Sequence, residues 1–190
     1  MKKTNHKRGC YSSIKDIFRR RFFLKELNIA KVSEKVIEQL PKGALLTVKS
    51  KDKLNTMTIG WATLGRVWNK PIMTVLVRFS RFTHDIISDS DSFTVSFSFD
   101  GSLKQAIGVC GEKSGRDMDK LKELGLTPVY VDGVESPYID EGDLHFICKT
   151  IYKNTMEPQL LSEEIRDKWY QDNDYHVIFY GEVLKVLQKD

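Results

Sequence analysis

The sequence predicts a mainly β protein with short α-helices, folded as a small antiparallel barrel. Over 93–99 the residues Phe93, Val95, Phe97 and Phe99 share one face, and hydroxyl side chains share the other. This alternation is typical of a half-buried antiparallel strand. The strand-like runs follow one another without a regular βαβ rhythm, and no GxGxxG motif opens a helix. A doubly wound nucleotide-binding fold is therefore not expected.

The remaining elements follow from strand-forming runs and helix caps. Strands are predicted at 44–49, 56–64, 72–77, 93–99, 128–131, 144–152 and 176–187. Helices are predicted after the N-cap types Ser80 and Thr83, from Asp100 to about Val109, from Asp117 to Gly125, and near 162–170. Pro71 precedes one strand, where proline is tolerated. Since so small a barrel is filled by its own side chains, a ligand should sit outside it or between subunits.

Length and charge predict one domain with a basic leader. A chain of 190 residues is long enough for a single core. Residues 1–31 hold ten Lys/Arg against two Asp/Glu, so we expect a basic N-terminal extension (1–31) and one domain (32–190). The extension is expected to be a frayed or docked helix; the alternative is a contact with an anionic membrane or nucleic acid. No apolar run approaches the roughly 18 residues of a membrane span, so no integral membrane segment is expected.

Cysteine and histidine usage indicates a reducing compartment and no metal site. Cys10, Cys110 and Cys148 are odd in number and far apart, and no CxxC pair occurs. This usage predicts a cytoplasmic protein. The four histidines lack metal-ligand spacing, so no bound metal is expected.

The first candidate binding segment is Asn55–Trp61, which places amide and hydroxyl groups beside a glycine and a tryptophan. Gly60 could let a flat ring approach, and exposed backbone N–H groups could hydrogen-bond the ring's polar edge. The alternative is a strand with a bulge at Gly60 and with Trp61 in the core.

The second candidate segment is Ser80–Thr83, between a predicted strand and a predicted helix. Ser80 and Thr83 offer hydroxyls, Arg81 offers a forked cation, and the first helical turn offers unpaired N–H groups, all of which suit a phosphate. The alternative is ordinary helix capping with a solvated arginine.

The third candidate segment is the loop Cys110–Asp117, where Lys113, Ser114 and Arg116 accompany two glycines ahead of a helix. This composition describes an anion-binding loop, although it lacks the spacing of a nucleotide-triphosphate loop. The alternative is a charged, solvated loop.

Taken in order, these three segments, Pro71, Lys120 and the run His176–Val183 resemble the flavin-reductase-like, FMN-binding split-barrel family that includes flavoredoxins. The resemblance covers about 41–187. It implies a Greek-key split β-barrel that forms a homodimer, with FMN at or near the subunit interface.

The resemblance also implies roles for residues of this chain. FMN-binding residues would be Asn55, Thr56, Met57 and Thr58 at the isoalloxazine, and Ser80, Arg81, Thr83, Lys113, Ser114 and Arg116 at the ribityl phosphate. His176 would lie near the flavin face and could gate substrate access; the alternative is a histidine packed at the start of a strand. Asp174 and Tyr175 could orient its ring. The segment 153–174, with Trp169 and Tyr170, could form a lid or a dimer contact.

The implied function is a flavin-dependent oxidoreductase or electron-transfer protein, with NADH or NADPH as electron donor or with a redox partner. Flavin chemistry needs no protein nucleophile, which agrees with the lack of any Ser-His-Asp set or paired carboxylates in the sequence. One alternative is a non-catalytic protein that stores or senses FMN. A further alternative is an adaptor that binds membranes or nucleic acid through the basic extension, but no matching basic stripe follows in the domain, so nucleic acid is not an expected partner.

Overall fold

The computed structural model describes residues 24–189. The strands of that part are β1 Leu24–Glu26, β2 Ala44–Ser50, β3 Lys53–Ile59, β4 Ala62–Val67, β5 Lys70–Arg78, β6 Ser92–Phe97, β7 Pro128–Val129, β8 Tyr138–Ile139, β9 Leu144–Thr155 and β10 His176–Lys189. Its α-helices are α1 Ser33–Gln39, α2 Phe82–Ile87, α3 Lys104–Glu112, α4 Lys120–Leu124 and α5 Glu163–Trp169. Most of the predicted N-terminal extension, with its leader helix and Cys10, lies outside the described residues.

An eight-stranded antiparallel sheet organises the domain, and β7 pairs with β8 in a separate two-stranded sheet. The strand order of the larger sheet is β3-β2-β6-β9-β10-β5-β4, and β1 pairs with β10 beside this path. Strands distant in sequence are neighbours, as in β2 with β6 and β5 with β10, which is the connectivity expected of a Greek key. The mainly β, antiparallel prediction is confirmed.

The long strands β9 and β10 hold the sheet together. β10 pairs with β5 over His176–Glu182 and with β1 over its last three residues. Its register against β9 shifts after Tyr180 and again after Val183, and such bulges bend a strand and increase its twist. β10 therefore contacts β5 with its first half, β1 with its last three residues and β9 along most of its length.

The main core lies on one face of the sheet and is built from alternate residues of its strands. Its strand members include Ala44, Leu46, Val48, Met73, Val75, Val77, Phe93, Val95, Phe97, Leu144, Phe146, Cys148, Val177 and Phe179. Val36 of α1 and Ile86 of α2 pack onto this cluster from the helices.

A smaller cluster lies on the opposite face of β2 and fixes α3 and α4. It joins Leu45 to Ala106 and Cys110 of α3 and to Leu121 of α4. The side chain of Thr58 also donates a hydrogen bond to the carbonyl of Ile107. These contacts place the loop between α3 and α4 beside β3.

The strand predicted at 93–99 is correctly placed, but it is not half-buried. β6 is buried on both faces because the segment before and including β8 covers its polar side. Thr94 donates to the carbonyl of Pro137 at 2.6 Å, and Ser96 Oγ accepts from Ile139 N at 3.1 Å. Phe99 lies beyond the strand and is 39% exposed. The hydroxyl side chains on alternate positions of β6 therefore hydrogen-bond the segment that covers them and do not face water.

Several predicted boundaries were wrong. The strand predicted at 56–64 is divided, because β3 ends at Ile59 and β4 begins at Ala62. Thr83 lies inside α2 and does not cap it, since the N-cap position is Arg81, which makes no side-chain capping bond.

Two helix starts also differ from the prediction. Asp100 accepts hydrogen bonds within its own turn from Ser102 N and Ser98 Oγ, so α3 begins only at Lys104 and continues to Glu112. Asp119, rather than Asp117, caps α4.

Two predicted helix boundaries are confirmed, the C-terminal end of α4 and the N-terminal start of α5. Gly125 ends α4 in the left-handed conformation at φ 65°, which glycine adopts without strain. Ser162 caps α5, its Oγ accepting from Ile165 N. Within 24–189, no helix is both long enough and apolar enough to cross a lipid bilayer.

Replacing Gly181 by alanine should destabilise the fold. A Cβ there would lie 2.5 Å from the Phe93 ring and 2.7 Å from Cys148 Cβ. Such overpacking typically costs about 1–3 kcal/mol. Urea unfolding should show this loss for Gly181→Ala. The matched control is Gly65→Ala on β4, where nothing lies within 4 Å of the added methyl group. Equal midpoints for the two variants would contradict this account of the core.

The free energy of unfolding should decrease as the pH is lowered, because His145 is buried. The ring is fully buried, Nδ1 lies 3.1 Å from Ser96 Oγ, and Nε2 has no partner among the described residues. Burial first, then Lys189, lowers the pKa of His145 to about 3 from 6.5. The unfolded chain therefore binds more protons below pH 6.5, and stability present above that pH is lost as pH falls.

This linkage gives a pH-dependent prediction. Between pH 7 and pH 5 the free energy of unfolding should fall by about 2 kcal/mol through His145 alone. His145→Asn should show a smaller slope, whatever its absolute stability. Some slope will remain, since the pKa of His176 is also lowered. Equal slopes in urea titrations of the two proteins would refute the assignment.

Candidate functional site

The three segments singled out in the sequence meet around one pocket, here named the anion pocket, of about 160 Å³. Its lining comes from β3, from the turn before α2 and the start of α2, and from the end of α3 through its connection to the first residue of α4. These residues are Asn55, Met57, Thr58, Ser80, Arg81, Phe82, Thr83, Cys110, Gly111, Glu112, Lys113, Ser114, Gly115, Arg116 and Lys120. Arg81 and Lys113, distant in sequence, thus line the same cavity.

Lys120 is the most unusual residue of the anion pocket, because it is a lysine only 3% exposed. Its Nζ donates to the carbonyls of Thr56 and Cys110, both at 3.1 Å. No carboxylate pairs with it among the described residues. Burial lowers the pKa of Lys120, because the charged form loses its hydration. An anion in the pocket would supply the missing counter-charge.

Lys120 belonged to the sequence resemblance but not to the predicted binding residues. One signal could have identified it: Lys120 is the first residue of α4, directly after the cap Asp119. A cation is unfavourable at the positive end of a helix dipole. A lysine in that position therefore needs a compensating interaction elsewhere.

Close backbone approach shapes the wall of the pocket. A Cβ on Gly115 would lie 2.2 Å from Asn55 Oδ1 and 2.9 Å from the Phe82 ring, so only glycine fits there. Asn55 in turn donates to Thr83 Oγ1 at 2.8 Å. The side chains of Asn55 and Thr83 are both buried and fix this wall.

The cations around the pocket differ in whether they already have interaction partners within the protein. Arg116 pairs with Asp85 at 2.8 Å, donates to the Ser80 carbonyl and lies over the Phe82 ring. Arg81 and Lys113 are exposed, and neither forms an ion pair within the described part of the chain. These two side chains are free to turn toward a bound anion.

Two predicted phosphate ligands already have partners. Ser80 donates to the Asp174 carboxylate through both its backbone N–H, at 3.1 Å, and its hydroxyl, at 2.6 Å. Ser114 Oγ accepts from Arg116 N at 3.1 Å. Both serines lie at the pocket, but neither hydroxyl is free of other contacts.

Thr56 is the one predicted residue whose side chain does not line the pocket. Its hydroxyl is fully buried against β2, where it donates to the Leu46 carbonyl and accepts from Thr47. Only the backbone carbonyl of Thr56 reaches the site, as an acceptor for Lys120.

A second cavity, here named the ring pocket, adjoins the first and measures about 200 Å³. It is lined by Met57, Thr58, Ile59, Gly60, Trp61, Leu76, Arg78, Arg81, Trp169 and His176. The two cavities share Met57, Thr58 and Arg81. Together they suit a molecule with an anionic group at one end and a flat, largely apolar ring at the other.

His176 lies in the ring pocket with its Nδ1 2.8 Å from the Tyr170 hydroxyl and its ring 5.2 Å from Trp61. Burial first, then the charge of Arg78, lowers the pKa of His176 to about 4; Asp174 opposes this shift, and Arg81 adds a smaller lowering effect. The imidazole is therefore neutral at pH 7. Asp174 and Tyr175 were expected to orient the ring, but neither hydrogen-bonds it. The hydrogen bond comes instead from Tyr170, directly after α5.

Arg78 holds the segment 169–174 against the ring pocket. Its guanidinium donates to the carbonyls of Trp169, at 2.7 Å, and Asp174, at 3.0 Å, and pairs with Asp172. Trp169 is thereby kept beside Trp61, with ring centroids 5.0 Å apart. The segment forms a wall of the pocket, and the sequence did not reveal Arg78 as its anchor.

Comparison with solved structures supports the fold. Flavoredoxin of Desulfovibrio vulgaris (Miyazaki F) is 25% identical, with a TM-score of 0.60 over 78% of this chain and 69% of that one. The FMN-binding domain of a flavin reductases-like enzyme from Shewanella baltica OS155 is 20% identical, with a TM-score of 0.65 over 87% and 77%. A split barrel domain protein from Shewanella frigidimarina NCIMB 400 is 16% identical, with a TM-score of 0.62 over 96% and 81%.

The family is shown by the sequence itself. None of the curated proteins compared with the chain matches it. The family model described as "Flavin reductase like domain" matches residues 41–190, which is most of the chain. With the antiparallel sheet of this chain and its likeness to a split barrel domain, this match identifies the protein as a member of the flavin reductase-like family with a split-barrel domain.

Proposed function

We propose that this protein binds FMN across the anion pocket and the ring pocket and acts as a flavin-dependent oxidoreductase. The observation that carries the proposal is Lys120, a buried cation at the base of a pocket with only carbonyl partners. Burying a charge without a counter-charge is costly unless a ligand compensates it. A phosphate has the charge and the acceptor oxygens to do so.

Each end of the site has residues that suit one part of FMN. Lys120, Arg81 and Lys113 would hold the phosphate, with the end of α3 and the loop that follows it, which contain Gly111 and Gly115, close to it. Met57, Thr58 and the Gly60 backbone would support the ring. Bound FMN would supply the electron chemistry, namely reversible acceptance of hydride or single electrons by its ring.

The protein's own contribution is positioning and exclusion of water. Trp61 and Trp169 line the ring pocket and would shield a reacting centre from solvent. His176, neutral at pH 7, could hydrogen-bond a second substrate without adding charge. NADH or NADPH is the proposed electron donor.

Further properties stay part of the proposal. They are the homodimer with FMN near its interface, the cytoplasmic location, and the division into a basic extension (1–31) and a flavin domain (32–190). A partner subunit would cover the exposed cations of the anion pocket, which agrees with the family resemblance.

The purified full-length chain should be yellow, or become yellow when FMN is added, and it should bleach anaerobically when NADH or NADPH is added. Absorbance spectra before and after a nicotinamide titration measure both steps. A protein that retains no added FMN would refute the proposal. Binding without reduction by either donor, or by a partner reductase, would instead indicate a protein that stores or senses FMN.

Lys120→Met should weaken FMN binding by about 10- to 100-fold, since a charge-assisted hydrogen bond contributes about 1.5–3 kcal/mol. Riboflavin, which lacks the phosphate, should bind the variant and the wild type alike. Fluorescence titrations of the two flavins measure the difference. The matched control is Lys122→Met, an exposed lysine of the same helix, which should change neither affinity. An equal loss for both flavins would place Lys120 outside the phosphate site.

A further inference from the structure

A third cavity, here named the outer groove, adjoins the anion pocket and measures about 830 Å³. Apolar side chains line part of it, namely Leu54, Leu121, Leu126 and Pro128, and side chains of both charges line it as well. Its volume falls in the range of roughly 300–1,000 Å³ that is typical of small-molecule sites. The proposed function leaves this groove without a role.

Five residues line both the outer groove and the anion pocket and so form the boundary between them: Asn55, Phe82, Gly115, Arg116 and Lys120. Asn55 and Lys120 are buried. Gly115 has no room for a side chain between Asn55 and the Phe82 ring. Arg116 is the one exposed residue of the five. Its side chain is therefore the part of the boundary that can move aside without disturbing the core.

The Arg116 guanidinium is held by three contacts to another segment of the chain. Nη1 donates to the Ser80 carbonyl at 3.1 Å, Nη2 donates to the Asp85 carboxylate at 2.8 Å, and the group lies 5.2 Å from the centre of the Phe82 ring. Ser80 lies in the turn before α2, and Phe82 and Asp85 belong to α2, whereas Arg116 follows α3. The side chain thus joins the α3–α4 connection to α2 at the boundary of the two cavities.

The base of the Arg116 side chain is fixed as well. Its backbone N–H donates to Ser114 Oγ at 3.1 Å, and the N–H of Asp117 donates to the Ser114 carbonyl at 3.2 Å, which closes a turn around Arg116. Gly115, directly before it, packs against Asn55. Since both ends of the side chain are held, Arg116 forms a barrier between the anion pocket and the outer groove.

This barrier matters for a ligand that extends beyond its first phosphate. FMN ends at a monophosphate, whereas FAD continues from that phosphate through a second one to adenosine. With the first phosphate beside Lys120, the outer groove is an adjoining space with room for that continuation. To enter it, FAD has to displace Arg116 from Asp85 and Phe82. One exposed ion pair and one exposed cation–π contact together correspond to a factor of about ten in affinity.

We propose that Arg116 is a specificity-determining residue that closes the phosphate end of the site, so that the protein selects the mononucleotide FMN over the dinucleotide FAD. Asp85 is a positioning residue that acts through Arg116. The inference rests on the proposed function, since it places the flavin phosphate in the anion pocket. It gives Arg116 a role other than the phosphate ligand that the family resemblance implies, because its guanidinium sets where the ligand ends.

The selectivity is tested by calorimetric titration of the purified full-length chain with FMN and with FAD. Wild type should bind FAD about tenfold more weakly than FMN, and Arg116→Ala should bring the two affinities close together. Because both flavins carry nearly the same phosphate charge near neutral pH, loss of a cation affects both, and their ratio reports on the barrier. The matched control is Lys122→Ala, which removes the same charge from another residue of the outer groove and should keep the wild-type ratio.

Equal affinities in wild type, or an unchanged ratio in Arg116→Ala, would overturn the role of Arg116. A fall in FMN affinity at an unchanged ratio would mark it as a phosphate ligand instead. Damage to the fold cannot imitate the expected result, since FAD gains relative to FMN. Lack of FMN uptake by wild type would refute the proposed function and this inference with it, whereas FMN uptake with equal FAD affinity refutes this inference alone.

The part played by Asp85 is tested by a double-mutant cycle with the same titrations. Asp85→Asn should move the ratio in the same direction as Arg116→Ala, because the guanidinium loses its ion pair. In the Arg116→Ala background, Asp85→Asn should have no further effect on the ratio. An equal effect of Asp85→Asn with and without Arg116 would show that the carboxylate acts through its own charge, which would overturn the positioning role.

Discussion

The two hydrogen bonds of the Lys120 ammonium connect the parts of the molecule on which the site depends. One reaches Thr56 on β3 and the other reaches Cys110 near the end of α3, so a single charged group joins the sheet to the helix packed on it. Both acceptors are backbone carbonyls, which orient the ammonium but leave its charge uncompensated. The anion pocket is thus built around an electrostatic requirement as well as a shape.

The ring pocket holds an uncharged titratable group. Burial first, then the charge of Arg78, lowers the pKa of His176 and keeps its imidazole uncharged at pH 7, and Trp61 and Trp169 contribute apolar surface. Arg81 lines both cavities. The same cation can therefore attract an anionic group on one side and oppose a positive charge on His176, to a small extent, on the other.

Much of the fold could be predicted from local patterns. The alternation along β6, the capping serine of α5 and the glycine that ends α4 act within a few residues, so periodicity and capping chemistry identify them. The burial of the polar face of β6 could not be predicted, because it depends on a segment about 40 residues away in sequence that covers Thr94 and Ser96.

The residues of the site, like the elements of the fold, could be predicted where the signal is local in sequence. The three binding segments were recognisable because each is continuous, and their convergence at Arg81 and Lys113 agrees with the order of the motifs. Arg78 was not identified, and Tyr170 was expected only in a lid or a dimer contact, since each acts through tertiary contacts that carry no local motif. Thr56 was assigned to the flavin together with its neighbours in the segment. Its hydroxyl is instead taken by hydrogen bonds to Leu46 and Thr47 of β2, which no local motif indicates.

The carboxylate of Asp174 occupies both donors of Ser80 at the mouth of the anion pocket. It is thus an internal competitor for any incoming phosphate that would use the same serine. Asp174 lies only two residues before His176 and shares the Arg78 anchor. A phosphate that takes the donors of Ser80 would therefore have to displace this carboxylate, while Arg78 would still hold the Asp174 carbonyl and the chain that leads into β10.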